Sequence, residues 1–271
     1  MTITETGAPA GTRSAGPTYS GYLRLPQLLD LRTHSPAGSR DELLFVTVHQ
    51  AQELWFAQLL AELTGVRDHL FEGDTRSARA GMDRALSIGE VLLTGLRPLR
   101  HLRPAQFHAF RAGLGSASGA QSSQFREIEV VCGAPWTRET PLPEGLSAGE
   151  RIRMERLSTE PTVWDAFVAL IRKAGFDTET RESRSVAFAR FAADPLGDGP
   201  SDILELAELS EALLRWDELW AEWRAGHVLL VERQIGGMPG TGGSTGMAHL
   251  RAGMHRRFFP ELWENRATGI R

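Results

Sequence analysis

The sequence predicts an all-α protein, and three observations carry that expectation. Apolar residues recur at spacings of three and four over long stretches. Capping residues stand in front of those stretches. Alternating apolar runs joined by Asn-Gly or Asp-Gly turns, the mark of hairpins, are missing. Residues 1–18, MTITETGAPAGTRSAGPT, hold almost nothing to bury and are expected to form a mobile tail. They also lack the basic start and apolar run of a secretory leader. Tyr19, Tyr22, Leu23, Leu25 and Leu28 follow, a segment apolar enough to need a surface to pack on. From Asp41, DELLFVTVHQAQELWFAQLLAEL reads as a helix: Ser39 can cap it, acidic residues fill its first turn, and nothing interrupts it before Gly65. The run Phe45-Val46-Thr47-Val48 favours a strand locally, but segment length and spacing outweigh it.

Residues 74–97 read as a second helix that Pro98 ends or kinks. A short helix is expected from Pro104 to about Leu114, then the loop GSASGAQSS, then a helix over QFREIEVVC. Three prolines and two glycines make 133–147 a connection, and 148–195 carry two or three weaker helical segments. Ser201 and Asp202 open a long helix reaching about Ile235. A second glycine-rich loop, GGMPGTGGSTG, precedes a last helix through HLRAGMHRRFF. The helices flanking the glycine loops are too apolar to stand alone, so the expected organisation is a tail, 1–18, and one helical domain, 19–271.

Composition narrows the function. The 271 residues are 41% apolar and 24% charged, ample for a sizeable core. The 30 Lys+Arg against 34 Asp+Glu leave a net charge of −4 and no basic field for nucleic acid. Lys173 is the single lysine. Cys132, the single cysteine, excludes an internal disulfide, a Cys-rich zinc site and an iron–sulfur cluster. A reducing, cytoplasmic setting fits. No stretch approaches the roughly 18 apolar residues of a membrane helix, so neither nucleic acid nor membrane is an expected partner.

The long helix holds the most informative pattern. Leu209, Leu213, Trp216, Trp220, Trp223, His227, Leu230 and Gln234 step along one face, which puts His227 on an apolar stripe beside three tryptophans. A buried imidazole needs partners for its nitrogens, or a metal. His49, among Phe45, Val46, Val48 and Leu54, reads as interior or pocket-lining. For both, a core histidine bonded to a carbonyl and a ligand remain open. No Glu-x-x-His, His-Glu-x-x-His or Cys-x-x-Cys-His occurs. Non-covalent haem on one histidine needs no further signature. The two glycine loops can bring backbone N–H groups close to a ligand or can simply reverse the chain. Arg111, ending the short helix, has the fork that grips a carboxylate, or serves at the surface as arginines commonly do.

Four blocks join these pieces. DELLFVTVHQAQELW, FRAGLGSASGAQSSQFREIE, GHVLLVERQIGGMPGTGGSTG and RFFPELWENR, in that order, resemble tryptophan 2,3-dioxygenase from about Tyr19 to Arg266. The resemblance implies a helical bundle of the tryptophan/indoleamine dioxygenase type that binds haem b, uses O₂ as co-substrate and assembles as a homotetramer. The implied reaction inserts O₂ across the indole C2–C3 bond of L-tryptophan to give N-formylkynurenine, a step of tryptophan catabolism by the kynurenine pathway. It implies His227 as the axial ligand of the haem iron. It implies His49 at the indole N–H, positioning rather than acting as an obligatory base, with Phe45 beside the indole. Arg111 matches the group for the substrate carboxylate, and Phe107 a position one turn earlier that is often aromatic. Thr241 matches a threonine near the substrate ammonium and a haem propionate, while Ser118 and Gly119 belong to the loop close to the amino acid. Tyr19, Tyr22 and Leu23 match a segment that reaches into the neighbouring subunit's site.

Departures from the family pattern leave an alternative. Ala120 stands in Ser118-Gly119-Ala120-Gln121-Ser122 where the pattern has Phe, Leu96 where it has Trp, and Val48 where it has Gln. Gly237, Met238 and Pro239 stand where basic residues are common. Space beside Ala120 suits a related haem oxygenase, a monooxygenase included, acting on a methylated or otherwise modified tryptophan or indole. A binding module without turnover is the third reading, against which the presence of both His49 and His227 speaks.

Overall fold

The computed structural model describes residues 16–32, 39–134, 145–192, 201–238, 240–241, 250–251 and 253–266. Residues 1–15 of the expected tail, Pro239 and most of the second glycine loop lie outside them. The described residues form helices and no strand, as an all-α reading requires. Two short helices, α1 (Tyr19–Tyr22) and α2 (Leu25–Asp30), lead into α3 (Arg40–Glu72). Ser39 caps α3 by accepting a hydrogen bond from the Glu42 N–H at 3.0 Å. The helix runs on through Gly65, the first residue able to interrupt it. Phe56, Leu59, Leu63, Val66 and Leu70 keep the buried stripe stepping past that glycine, and burial of that face outweighs about 1 kcal/mol of glycine penalty. Gly73, at φ 86°, ends α3 in the left-handed conformation, and its N–H donates to the His69 carbonyl at 2.9 Å.

Asp74 then caps α4 (Thr75–Gly95), which returns antiparallel against α3. As expected, α4 stops ahead of Pro98, in a 3₁₀ turn over Arg97–His101. Next come α5 (Pro104–Arg111), α6 (Ser123–Cys132), α7 (Ala148–Leu157), α8 (Val163–Lys173) and α9 (Arg181–Ala192). The longest helix, α10 (Ser201–Ile235), packs on α4, and a methyl at Gly89 would overlap Leu219. Buried Trp216, Trp220 and Trp223 on α10 and Phe56 on α3 belong to one core, which α6 and α8 close from the side.

The last helix departs from expectation. Helix is present at Leu250, Arg251 and Gly253, but the chain turns at Met254 and His255 and runs unwound to α11 (Pro260–Glu264). The reason lies on α10. Asp217, fully buried, accepts hydrogen bonds from the Phe258 N–H (3.0 Å), the Phe259 N–H (3.3 Å) and the Trp263 indole N–H (3.0 Å). A continuous helix would need the first two donors for its own carbonyls.

Candidate functional site

The helices α3, α5 and α10, with the loop at 117–122, enclose a cavity of about 400 Å³. Phe45 and His49 face it from α3, Phe107 and Arg111 from α5, and His227 from α10. Ser118, Gly119 and Thr241 line it as well, so helices and loops far apart in sequence bring these eight expected residues together. Tyr19, Tyr22 and Leu23 do not line it; the two tyrosines are 77% and 76% exposed on α1. Leucines at 96, 99, 102, 114 and 230 make the wall mostly apolar.

The helical period puts Phe45 and His49 one turn apart on the same face. Their ring centroids lie 4.1 Å apart, and Phe45 also touches Phe107 (5.8 Å) and Phe110 (5.5 Å). The His49 Nδ1–H donates to the Phe45 carbonyl at 2.8 Å. That bond assigns the tautomer and leaves Nε2 as an acceptor. Burial holds the His49 pKa below its ordinary value, against the opposing pull of the Phe45 carbonyl and Glu53.

His227 sits at the end of a ladder of rings. Trp216 and Trp220 are 5.2 Å apart, Trp220 and Trp223 stack at 5.5 Å and 14°, and Trp223 lies flat on His227 at 5.3 Å and 4°. Among the described residues nothing hydrogen-bonds to the His227 ring, so the core-histidine alternative finds no carbonyl there. Burial, with His49 adding a smaller push, takes its pKa down to about 4. The imidazole is therefore neutral near pH 7, the form that binds metals.

The polar end of the cavity is built by loops. The Thr241 hydroxyl donates to the Ala117 carbonyl at 2.5 Å, tying the two glycine loops together. The Arg111 guanidinium meets the Met238 sulfur at 4.0 Å. Ser118 caps the 3₁₀ turn Gly119–Gln121, accepting from the Ala120 N–H at 3.3 Å. A Cβ built on Gly119 meets nothing within 4 Å. Leu96 and Ala120, two departures from the family pattern, line the cavity, whereas Val48 is buried in the core.

Sequence reasoning missed Glu53, Gln121 and Gln234 as lining residues. Glu53 carried a usable signal, being one turn beyond His49 on the same face. Its carboxylate accepts from the Gln124 side chain at 2.7 Å, which ties α3 to α6. Gln234 stood on the stripe of His227, but only the fold shows its amide donating to the Leu99 (3.3 Å) and Leu102 (2.5 Å) carbonyls.

Fold and site together define a helical protein that encloses a small-molecule cavity between two neutral imidazoles, with a guanidinium at its polar end. A sequence profile of the family described as Tryptophan 2,3-dioxygenase matches residues 4–141 and 198–268. The chain is 40% identical over 258 residues to the tryptophan 2,3-dioxygenase of Nocardioides sp. (strain ATCC BAA-499 / JS614), covering 93% of this chain and 95% of that protein. It is 38% identical to that of Herpetosiphon aurantiacus (92% and 97%) and 35% to that of Anaeromyxobacter sp. (strain K) (94% and 97%). The chain belongs to the tryptophan 2,3-dioxygenase family, a family of oxidoreductases.

Proposed function

We propose that this chain is a haem-dependent dioxygenase that opens the indole ring of L-tryptophan, with both atoms of O₂ entering N-formylkynurenine. The observation that carries the reading is the pair of imidazoles on one apolar cavity: a bare His227 ring on α10, and on α3 His49, whose Nε2 is left to accept. The relatives' shared name agrees with it and does not favour the single-oxygen, modified-indole alternative.

The residues present fit haem. Among the described residues no cluster of three or more His, Cys, Asp and Glu could hold a bare metal ion. A lone neutral imidazole suffices as protein ligand when a macrocycle supplies the other donors, and the leucine-rich wall suits a flat apolar ring. In this reading His227 would hold the haem iron, and Thr241 would lie beside one of the group's carboxylates. Bound there, haem supplies the iron at which O₂ is activated. The protein's own groups do the positioning. Arg111 grips the substrate carboxylate with its two-pronged donor set, and Thr241 serves the ammonium. Ser118 and Gly119 flank the amino acid. Phe45 and Phe107 hold the indole face, and His49 Nε2 accepts the indole N–H. Fixing all three ends of the substrate lowers the entropic part of the barrier.

The finer assembly follows the same reasoning. Tyr19, Tyr22 and Leu23 complete the cavity of a neighbouring copy within a homotetramer, which would cover side chains that are exposed here. A cytoplasmic setting fits the single buried cysteine. Among the described residues no helix is long and apolar enough to cross a membrane. The test supplies L-tryptophan and air to the reduced, haem-loaded protein and follows formylkynurenine absorbance with product mass. A gain of two oxygens is expected. Silence with tryptophan, together with a gain of one oxygen on a methylated indole, would overturn the proposal in favour of its alternative.

A further inference from the structure

Histidines that ligate metals usually donate their second ring N–H to a carboxylate, carbonyl or water, which fixes the ring plane. Without such a bond the ring torsion is broad. The parallel face of Trp223 lies against the His227 ring (5.3 Å, 4°) and restricts its plane. Trp223 is itself held by α3. Its indole N–H donates to Gln52 Oε1 at 3.1 Å, and Gln52 Nε2 donates to the Leu92 carbonyl at 3.0 Å. Gln52 and Trp223 are both buried, at 5% and 8% exposure. With its oxygen accepting and its nitrogen donating, the Gln52 amide is satisfied in only one orientation. Gly95 preserves the arrangement, since a Cβ there would come within 2.8 Å of Gln52 Nε2.

We propose that Gln52 is a positioning residue for the axial imidazole, acting through Trp223 to set the ring plane of His227. The inference rests on the reading of His227 as the haem ligand. It makes α3 serve the cavity twice: His49 faces the substrate, and Gln52, three residues on, orients the iron's ligand from behind.

The experiment uses haem-loaded protein carrying Gln52→Leu, Trp223→Phe or both. Trp223→Phe keeps an aromatic ring beside His227 while removing the N–H donor together with part of the indole face, so it serves even if Gln52→Leu folds poorly. The reading is the iron–imidazole stretching band of the ferrous protein by resonance Raman, with haem loss to excess apomyoglobin and thermal unfolding alongside. Both single variants should shift and broaden the band and raise haem loss about tenfold, the scale of a lost partner behind a metal ligand. The double variant should move the band no further than either single one, because both remove the same link. An unshifted band with a lowered unfolding temperature would overturn the proposal and make Gln52 a structural hydrogen bond only. Failure of the underlying ligand assignment reads differently: His227→Ala would then keep the iron–imidazole band.

Discussion

His49 and His227 face the same cavity, yet the protein holds them by opposite means. His49 gives one ring nitrogen to its own helix, through the Phe45 carbonyl at 2.8 Å, and so presents a single acceptor whose direction the backbone sets. His227 has no such bond among the described residues and lies flat on Trp223, at the foot of a stacked indole ladder. The difference matches the two roles proposed for these walls. A hydrogen bond to the backbone assigns a tautomer, which suits a group that must receive one proton donor from a substrate. Stacking fixes a plane while leaving the ring nitrogens uncommitted, which suits a group that must offer a lone pair to a metal.

Breaking the α10 side should have the largest effect. His227→Ala is expected to weaken haem binding by more than about 100-fold and abolish the Soret band; a normal Soret band in the purified variant would contradict the ligand assignment. Next comes the guanidinium between the two walls. Arg111→Leu should raise KM for tryptophan with haem content unchanged, by roughly 30- to 1000-fold, the equivalent of about 2–4 kcal/mol for truncating one partner of a charged pair. The α3 side should be milder. His49→Ala should keep haem and lower kcat/KM about tenfold, since one hydrogen bond of about 1 kcal/mol is lost with some packing; a variant that lost haem would erase the distinction between the two walls.

Two smaller effects sharpen the comparison. Burial depresses both imidazole pKa values, that of His227 to about 4. Between that value and 6.5 the unfolded chain binds protons that the native protein refuses, so stability rises with pH across this window. In the haem-free protein their contribution should be whole above pH 6.5 and lost as pH falls through about 4. Urea midpoints at pH 7 and pH 5 measure it, and His227→Phe should flatten the dependence. Finally, Gly119→Ala adds a methyl that meets no protein atom within 4 Å. Stability should change by less than about 0.5 kcal/mol, whereas KM should rise if the amino acid occupies that space; unchanged binding would move the substrate away from this loop.

Much of this molecule is written in local pattern. The three–four spacing of α3 and α10, the Ser39 cap and the stripe from Leu209 to Gln234 are properties of neighbouring residues, because helix period and capping act within a few positions. The same stripe put His227 beside tryptophans, and four ordered blocks carried the family. Other features depended on partners distant in the chain. Gly65 is the first residue able to interrupt α3, and the burial of Val66 and Leu70 carries the helix through it. The segment before α11 reads as helix until buried Asp217, about 40 residues earlier, takes its N–H groups. Gln52 and Glu53 look like ordinary polar residues of an amphipathic helix, and only the packing of α3 against α10 and α6 gives them partners. Sequence by itself determined that the protein is helical and which side chains of α3, α5 and α10 were candidates to line one cavity. Tertiary structure decided where helices end and which polar groups meet, because a hydrogen bond between distant residues leaves no periodic trace along the chain.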